Sequence, residues 1–432
     1  MKKQLFLLLL SASFFTAQSQ QTLSLSTCIQ QALEANWGIK IAKNEQKIAE
    51  NNFNYNPFLP VIYADASQRE AFNDTKRKDA NGNETNFALA QTDNLNALVA
   101  LQWTIFDGAS MFVTYRKMKE LKSVGELNTQ WQIENLIANV TAAYYNVWIQ
   151  TKLLEAMEQI MDVSRLRFKI AQDKYLIGAM SGLEMRQSRI DLNADSSAYL
   201  RQEEMLIYAH IQLNTLMNTS LEQQSNINDT LILLPLMDYE NIKNDLLRNN
   251  TSLQIAQKGI RISELDLSMA RAAYFPTIQF NPGYQFNLAN TPAAMTTYNR
   301  THGLFWGFSI RVPIFNQLTV RTQTQNAKLN IETSVYTYKE LELTMLSNLA
   351  TLFASYQNNH KLLLFEDQNK DIAYETLQSA IERYQIGNLS GLEFRDYQRS
   401  YIDAITRKMT AAYQAKVSEI AILLLSGGLR LN

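Results

Sequence analysis

The chain has 432 residues, of which 46% are hydrophobic and 19% charged, with a formal net charge of −1 and one cysteine. That balance gives no field to hold nucleic acid, and a lone cysteine excludes an intramolecular disulfide framework. No stretch after the N-terminus approaches the eighteen apolar residues of a spanning helix.

Residues 1–19 read as an export signal. Lys2 and Lys3 lead, Leu5 to Leu10 form the apolar core, and Ala17-Gln18-Ser19 fits a small-x-small cleavage site. Removing the segment takes two lysines and no acid, so the net charge falls from −1 to −3. Cys28 follows in Leu25-Ser26-Thr27-Cys28. A lipid-anchor reading conflicts with Thr27 and with the distance from the apolar core, which favours a buried helix residue.

Proline then marks the architecture. The seven prolines fall at 57, 60, 235, 276, 282, 292 and 313, leaving 61–234 and the chain after 313 free of them. A proline inside a helix costs about 3 kcal/mol or more, so both gaps leave room for very long helices.

Strands come first in each half. A weakly alternating run covers about 59–72, and Leu95, Ala97, Val99, Leu101, Trp103 and Ile105 alternate with polar residues over 95–106. In the second half, 277–288 carries Ile278, Phe280, Tyr284, Phe286 and Leu288 on one face, with Pro282 predicting a bulge or bend. Residues 304–315 alternate similarly through Leu304, Trp306, Phe308, Ile310, Val312 and Ile314. The polar stretches 73–92 and 289–302 are expected as exposed loops. Strands of this kind suit a wall between lipid and water, and Trp103, Phe106, Trp306 and Phe315 sit where aromatic girdles occur.

Helical spacing follows each strand pair. Ile133, Ile137, Val140, Tyr144, Val147, Leu154, Met157 and Met161 recur mostly at three or four residues, as do Ile402, Ile405, Met409, Ala412, Val417, Ile420 and Leu424. Helices over about 109–177 and 319–386 would each be roughly 100 Å long.

Two turns interrupt these helices and nearly repeat each other 209 residues apart. Lys174-Tyr-Leu-Ile-Gly178-Ala179-Met180-Ser181-Gly182-Leu183-Glu184-Met185-Arg186 reappears as Arg383-Tyr384-Gln-Ile-Gly387-Asn388-Leu389-Ser390-Gly391-Leu392-Glu393-Phe394-Arg395. The chain therefore divides into two structural repeats, 20–234 and 235–432, each built as helix, strand, loop, strand, long helix, turn and helix. The fold class is mainly α with a membrane β-barrel. Four strands cannot close a barrel and an open edge is not tolerated in hydrocarbon, so several copies must share one; three copies and twelve strands are a natural solution.

These residues resemble the TolC-type outer-membrane efflux proteins over the whole mature chain. The likeness rests on the opening Leu25 to Asn36, the strand exits Thr104-Ile105-Phe106-Asp107-Gly108 and Pro313-Ile314-Phe315-Asn316-Gln317, and the two turns. It implies a homotrimer with a twelve-stranded barrel in outer-membrane lipid and a periplasmic tunnel of helices. It further implies docking to a periplasmic membrane-fusion adaptor and an inner-membrane pump that selects the substrate. By position, the resemblance makes Gly178, Ala179, Met180, Ser181, Gly387, Asn388, Leu389 and Ser390 adaptor-facing tips. It sets Glu184, Glu393 and Asp396 in the lumen as a gate and matches Tyr384 to a gate tyrosine. The best-known member has arginine where this chain has Leu389, so that member's gate bonds do not carry over. Like carboxylates repeated by three-fold symmetry favour cations and can bind divalent metal. The other reading of Glu184 and Glu393 is a helix-start residue held by the positive helix end.

His210, His302 and His360 are the only histidines, none with a ligand partner at i+4, and no hydrolase, nucleotide or metalloprotease motif appears. No catalytic residue, cofactor or metal is expected. A soluble periplasmic coiled-coil scaffold or adaptor is the alternative, distinguished by its lack of four amphipathic strands.

Overall fold

The computed structural model describes residues 23–80, 82–227, 229–294 and 296–429; the expected export signal lies outside them. The described residues are mainly helical. Eight helices are α1 (Leu25–Ala35), α2 (Trp37–Asn52), α3 (Ser110–Leu176), α4 (Gly182–Met217), α5 (Tyr239–Asn249), α6 (Thr251–Ala272), α7 (Thr319–Ile386) and α8 (Gly391–Ser426). Six strands are β1 (Val61–Lys78), β2 (Glu84–Asp107), β3 (Thr277–Phe280), β4 (Gly283–Asn290), β5 (Tyr298–Phe305) and β6 (Phe308–Arg311). The chain falls into two compact units.

One unit comprises Met1–Glu45, Leu127–Gln254 and Lys339–Asn432, as far as they are described. Its larger apolar cluster joins Cys28, Ala32 and Ile39 to Val140, Tyr144, Val147, Leu213 and Met217. Tyr144, fully buried, donates its hydroxyl to Asp229 at 2.6 Å. Cys28 is the buried helix residue that its spacing suggested, and loss of water around it pushes its thiol up to about 12. The segment 229–238 is pinned to α8 by a buried ion pair. Lys416 lies 2.5 Å from Glu419 and donates to the Ile232 carbonyl, while Glu419 accepts from the Leu234 N–H.

The other unit, Gln46–Glu126 and Ile255–Tyr338, holds the sheet. β2 pairs β1 on one side and β3 and β4 on the other, and β6 and β5 pair those in turn, all antiparallel. Four strand rows result, with β1 free along its outer edge and β5 and β6 free along theirs. Phe58 packs edge-on against Phe112 and Tyr115, and Trp103 donates to the Phe58 carbonyl at 3.0 Å.

The strands differ from expectation in where they end. β1 and β2 are 18 and 24 residues long, so most of the expected loop 73–92 is ladder. Side-chain alternation reports where apolar surface stops, whereas a ladder ends only where backbone pairing stops. Polar cross-strand contacts such as Gln91 to Glu70 continue through the extension. Part of the second expected loop, 298–302, likewise belongs to β5. The strand at 277–288 breaks between β3 and β4 at Asn281-Pro282, and its neighbour breaks opposite, at Trp306-Gly307, where Asn281 donates to the Gly307 carbonyl. β6 stops at Arg311, although the alternation runs on to Ile314, since Pro313 has no N–H for a ladder.

Candidate functional site: the hairpin tips

Both hairpin turns are built alike. Gly178 and Gly387 adopt φ of 75° and 84°, conformations glycine enters without a Cβ penalty. Ala179 donates back to the Lys174 carbonyl at 2.8 Å and Asn388 to the Arg383 carbonyl at 2.9 Å, closing each preceding helix. Ser181 and Ser390 then cap the next helix, their hydroxyls accepting from Glu184 N and Glu393 N. The tips leave Ile177, Leu183, Ile386 and Leu392 each more than 70% exposed.

Glu393 completes a capping box. Its carboxylate accepts from the Ser390 hydroxyl at 2.8 Å and the Ser390 N–H at 3.1 Å, and these bonds hold its carboxyl below the usual range. The helix-start reading therefore has direct geometry for Glu393. Glu184 occupies the matching position in α4, half-buried and without the reciprocal carboxylate bond.

Tyr384 points into the hairpin core. It is 2% exposed, lies tilted against Phe394 with ring centroids 5.0 Å apart, and belongs to a cluster with Ala380 that Ile170 and Leu389 flank. Its hydroxyl has no hydrogen-bond partner, and Lys174 donates to its backbone carbonyl at 3.2 Å. Burial raises its phenol above the ordinary value, with the neighbouring Arg167 opposing.

A cleft of about 580 Å³ opens between the two turns, and Ser181, Glu184, Ser390 and Asp396 line it with Arg167, Asp191, Arg395 and Arg399. The second set was not anticipated from sequence. Arg167 is 3% exposed and pairs with Asp191 at 2.7 Å. Arg395 forks onto Asp195 at 2.7 and 2.9 Å, the two-bond geometry that guanidinium and carboxylate favour. Behind the fork, Ser164 donates to Asp195 at 2.5 Å, and Gln398, fully buried, donates to Ser164 and to the Ile160 carbonyl. Three helices, α3, α4 and α8, thus share one buried polar knot.

The knot occurs in only one of the two near-repeats. At the 209-residue offset, Ala404 stands for Asp195, Ala373 for Ser164, Ser400 for Asp191 and Thr376 for Arg167. A signal was available: Ser188, Asp191 and Asp195 fall three and four residues apart on one face of α4, where an apolar stripe belongs. Among the described residues no cluster of His, Cys, Asp or Glu could hold a metal ion. Nor is any described helix long and apolar enough to cross a membrane.

Comparison with known proteins shows what this geometry is similar to. Residues 243–428 match the outer membrane efflux protein family. That likeness is carried by less than half of the chain. The cation efflux system protein CusC of Escherichia coli (strain K12) is 23% identical over 300 residues, covering 68% of this chain and 64% of CusC. The probable efflux pump outer membrane protein TtgC of Pseudomonas putida is 22% identical over 302 residues, 68% of this chain and 60% of TtgC. The matched region thus spans less than two thirds of these curated relatives. The fold agrees more completely. The Campylobacter jejuni CmeC outer membrane channel superposes with a TM-score of 0.78 at 17% identity, over 94% of this chain and 85% of CmeC. The Vibrio cholerae outer membrane protein VceC gives 0.75 at 14%, over 93% and 96%. These two structural neighbours are an outer membrane channel and an outer membrane protein.

Proposed function

We propose that the chain is one subunit of a passive trimeric exit duct in the outer membrane, docked to a periplasmic adaptor and an inner-membrane pump. One observation carries this reading: the sheet is open at both edges, and β1 leaves its outer edge unpaired along an 18-residue strand. Such an edge is untenable in hydrocarbon, where every N–H and C=O must be paired. Further copies close it, and four rows per chain make twelve strands from three. The resulting wall has Leu95, Ala97, Val99 and Leu101 towards lipid and Asn94, Asn96 and Gln102 towards water.

The tips support docking. Exposed Ile177, Leu183, Ile386 and Leu392 form apolar knobs beside polar caps, a surface suited to another protein's helices. Glu184 and Asp396 at the cleft, with Glu393 on the neighbouring turn, form the acidic constriction when three copies converge. The Asp195–Arg395 knot holds the two hairpins of one chain together there.

Planar-bilayer recording tests the duct. Single channels are expected from the wild type and from Asn96→Arg, which faces water. Val99→Arg sits on the lipid face and should lose about 2–4 kcal/mol of insertion free energy, with few or no channels. Equal tolerance of both arginines, or a chain washed from membranes by carbonate, refutes the proposal.

A further inference from the structure

We infer that the outer face of the sheet carries a site for one phosphate-bearing lipid, with an acyl chain against β1, β2 and β4 and the phosphate on Arg300. The inference rests on the membrane reading above. Residues directly opposite in an antiparallel ladder share a face, so register fixes what accompanies the apolar positions of β2. Val99 lies opposite Tyr284 and Tyr284 opposite Leu304; Ala97 opposite Phe286 and Phe286 opposite His302; Leu95 opposite Leu288 and Leu288 opposite Arg300. Arg300 therefore stands on the apolar side of the wall.

Its height explains how it is tolerated. Phe280 is paired with Trp103 on one side and Phe308 on the other, and the three mark the lower girdle. Leu95, level with Arg300, is eight residues up β2 from Trp103. At about 3.4 Å per residue and a tilt near 40°, that is roughly 20 Å up an apolar band about 25 Å tall. The guanidinium is thus close to the upper headgroup level. It lies over the Phe286 ring, 5.4 Å from the centroid, and makes no ion pair among the described residues. Gln68, Asp93 and Glu70 begin the polar rim on β1 and β2, where Gln68 donates to Asp93 and Gln91 to Glu70.

Below Arg300 lies a shallow apolar groove of about 270 Å³. Ala64, Ala66 and Ala97 form its floor and Val99, Tyr284 and Phe286 its walls, with Asp65 and Leu98 also in the lining. Tyr284 is tied to His302 at 3.1 Å, which steadies the ring that borders the groove. A small-residue floor, aromatic walls and a cation above them match one amphiphile: chain below, anion on top. An arginine that makes no ion pair within its own chain supplies the charge complementarity that a purely hydrocarbon occupant would not need.

Native mass spectrometry of the detergent-purified assembly tests the site. Phosphatidic acid is titrated against diacylglycerol with the same chains, with inorganic phosphate as a separate arm. The wild type should retain phosphatidic acid about tenfold more tightly, and Arg300→Gln should erase that preference. Ala97→Phe, filling the groove, should weaken both lipids. Equal retention of both lipids by the wild type, or a preference unchanged in Arg300→Gln, overturns the site. Displacement of the lipid by millimolar phosphate makes it a free-anion site, and density from a second copy in the groove makes it an interface. Either result also overturns it. Bilayer conductance of the same samples separates the two levels: a conducting wild type without lipid preference ends only this site, while a chain that never inserts ends the duct as well.

Discussion

Truncating Asp195 to alanine should loosen the hairpin tips far more than any surface charge would. The carboxylate is 6% exposed, and it accepts two bonds from Arg395, one from Ser164 and one from Gln398. Exposed ion pairs are worth about 0–1 kcal/mol. Here the partner guanidinium is itself largely buried, so removing the acid strands a charge, and the cost is about 3–5 kcal/mol. Asp191 does not compensate, because it is already paired with Arg167. The loss falls on a local opening, so amide exchange around Gly178 and Gly387 should accelerate by roughly two to three and a half powers of ten. In bilayers the variant should also spend more time in an open, high-conductance state. The cycle of Asp195→Ala, Arg395→Ala and the double variant decides the matter. Removing both charges should restore much of the loss, with a coupling energy of about 2 kcal/mol or more. Additive losses, or a coupling below about 0.5 kcal/mol, would refute the argument that the pair acts as a buried unit.

Gly178→Ala meets nothing within 4 Å, so its effect should be conformational alone, about 1 kcal/mol less stable from the positive φ, seen as faster tip exchange. Cys28, with its thiol held up at about 12, should resist alkylation at pH 8.5 in the folded chain and react readily in denaturant. Since its folded value exceeds the ordinary 9.0, the contribution to stability is intact below pH 9.0 and declines as pH rises towards 12; a denaturant midpoint flat across pH 8 to 11 would contradict this. Glu393→Ala with Asp396→Ala should reduce divalent-cation block of single channels, and an unchanged block removes both acids from the constriction. The single change Glu393→Ala also breaks the capping box and should speed exchange at the start of α8, independently of conductance.

Much of this molecule was written in short-range patterns. Proline-free gaps and three-four spacing located α3 and α7 to within a residue or so, because a helix satisfies its backbone from its own sequence. The two glycine turns were equally plain, since the left-handed residue and the serine cap lie within four positions of each other. Strand extent was not local: β1 and β2 ran past their apolar alternation because each pairs with the other's backbone. The site divided along the same line. Ser181, Glu184, Ser390 and Asp396 line the cleft, and Tyr384 lies in the hairpin core. Arg167, Asp191, Asp195 and Arg395 became a buried knot only when α3, α4 and α8 packed together. Sequence alone determined which segments coil, turn and alternate, whereas burial and charge pairing were decided by tertiary packing. The reason is physical: a charge's environment depends on residues far away in the chain, and the Asp195–Arg395 pair spans 200 positions.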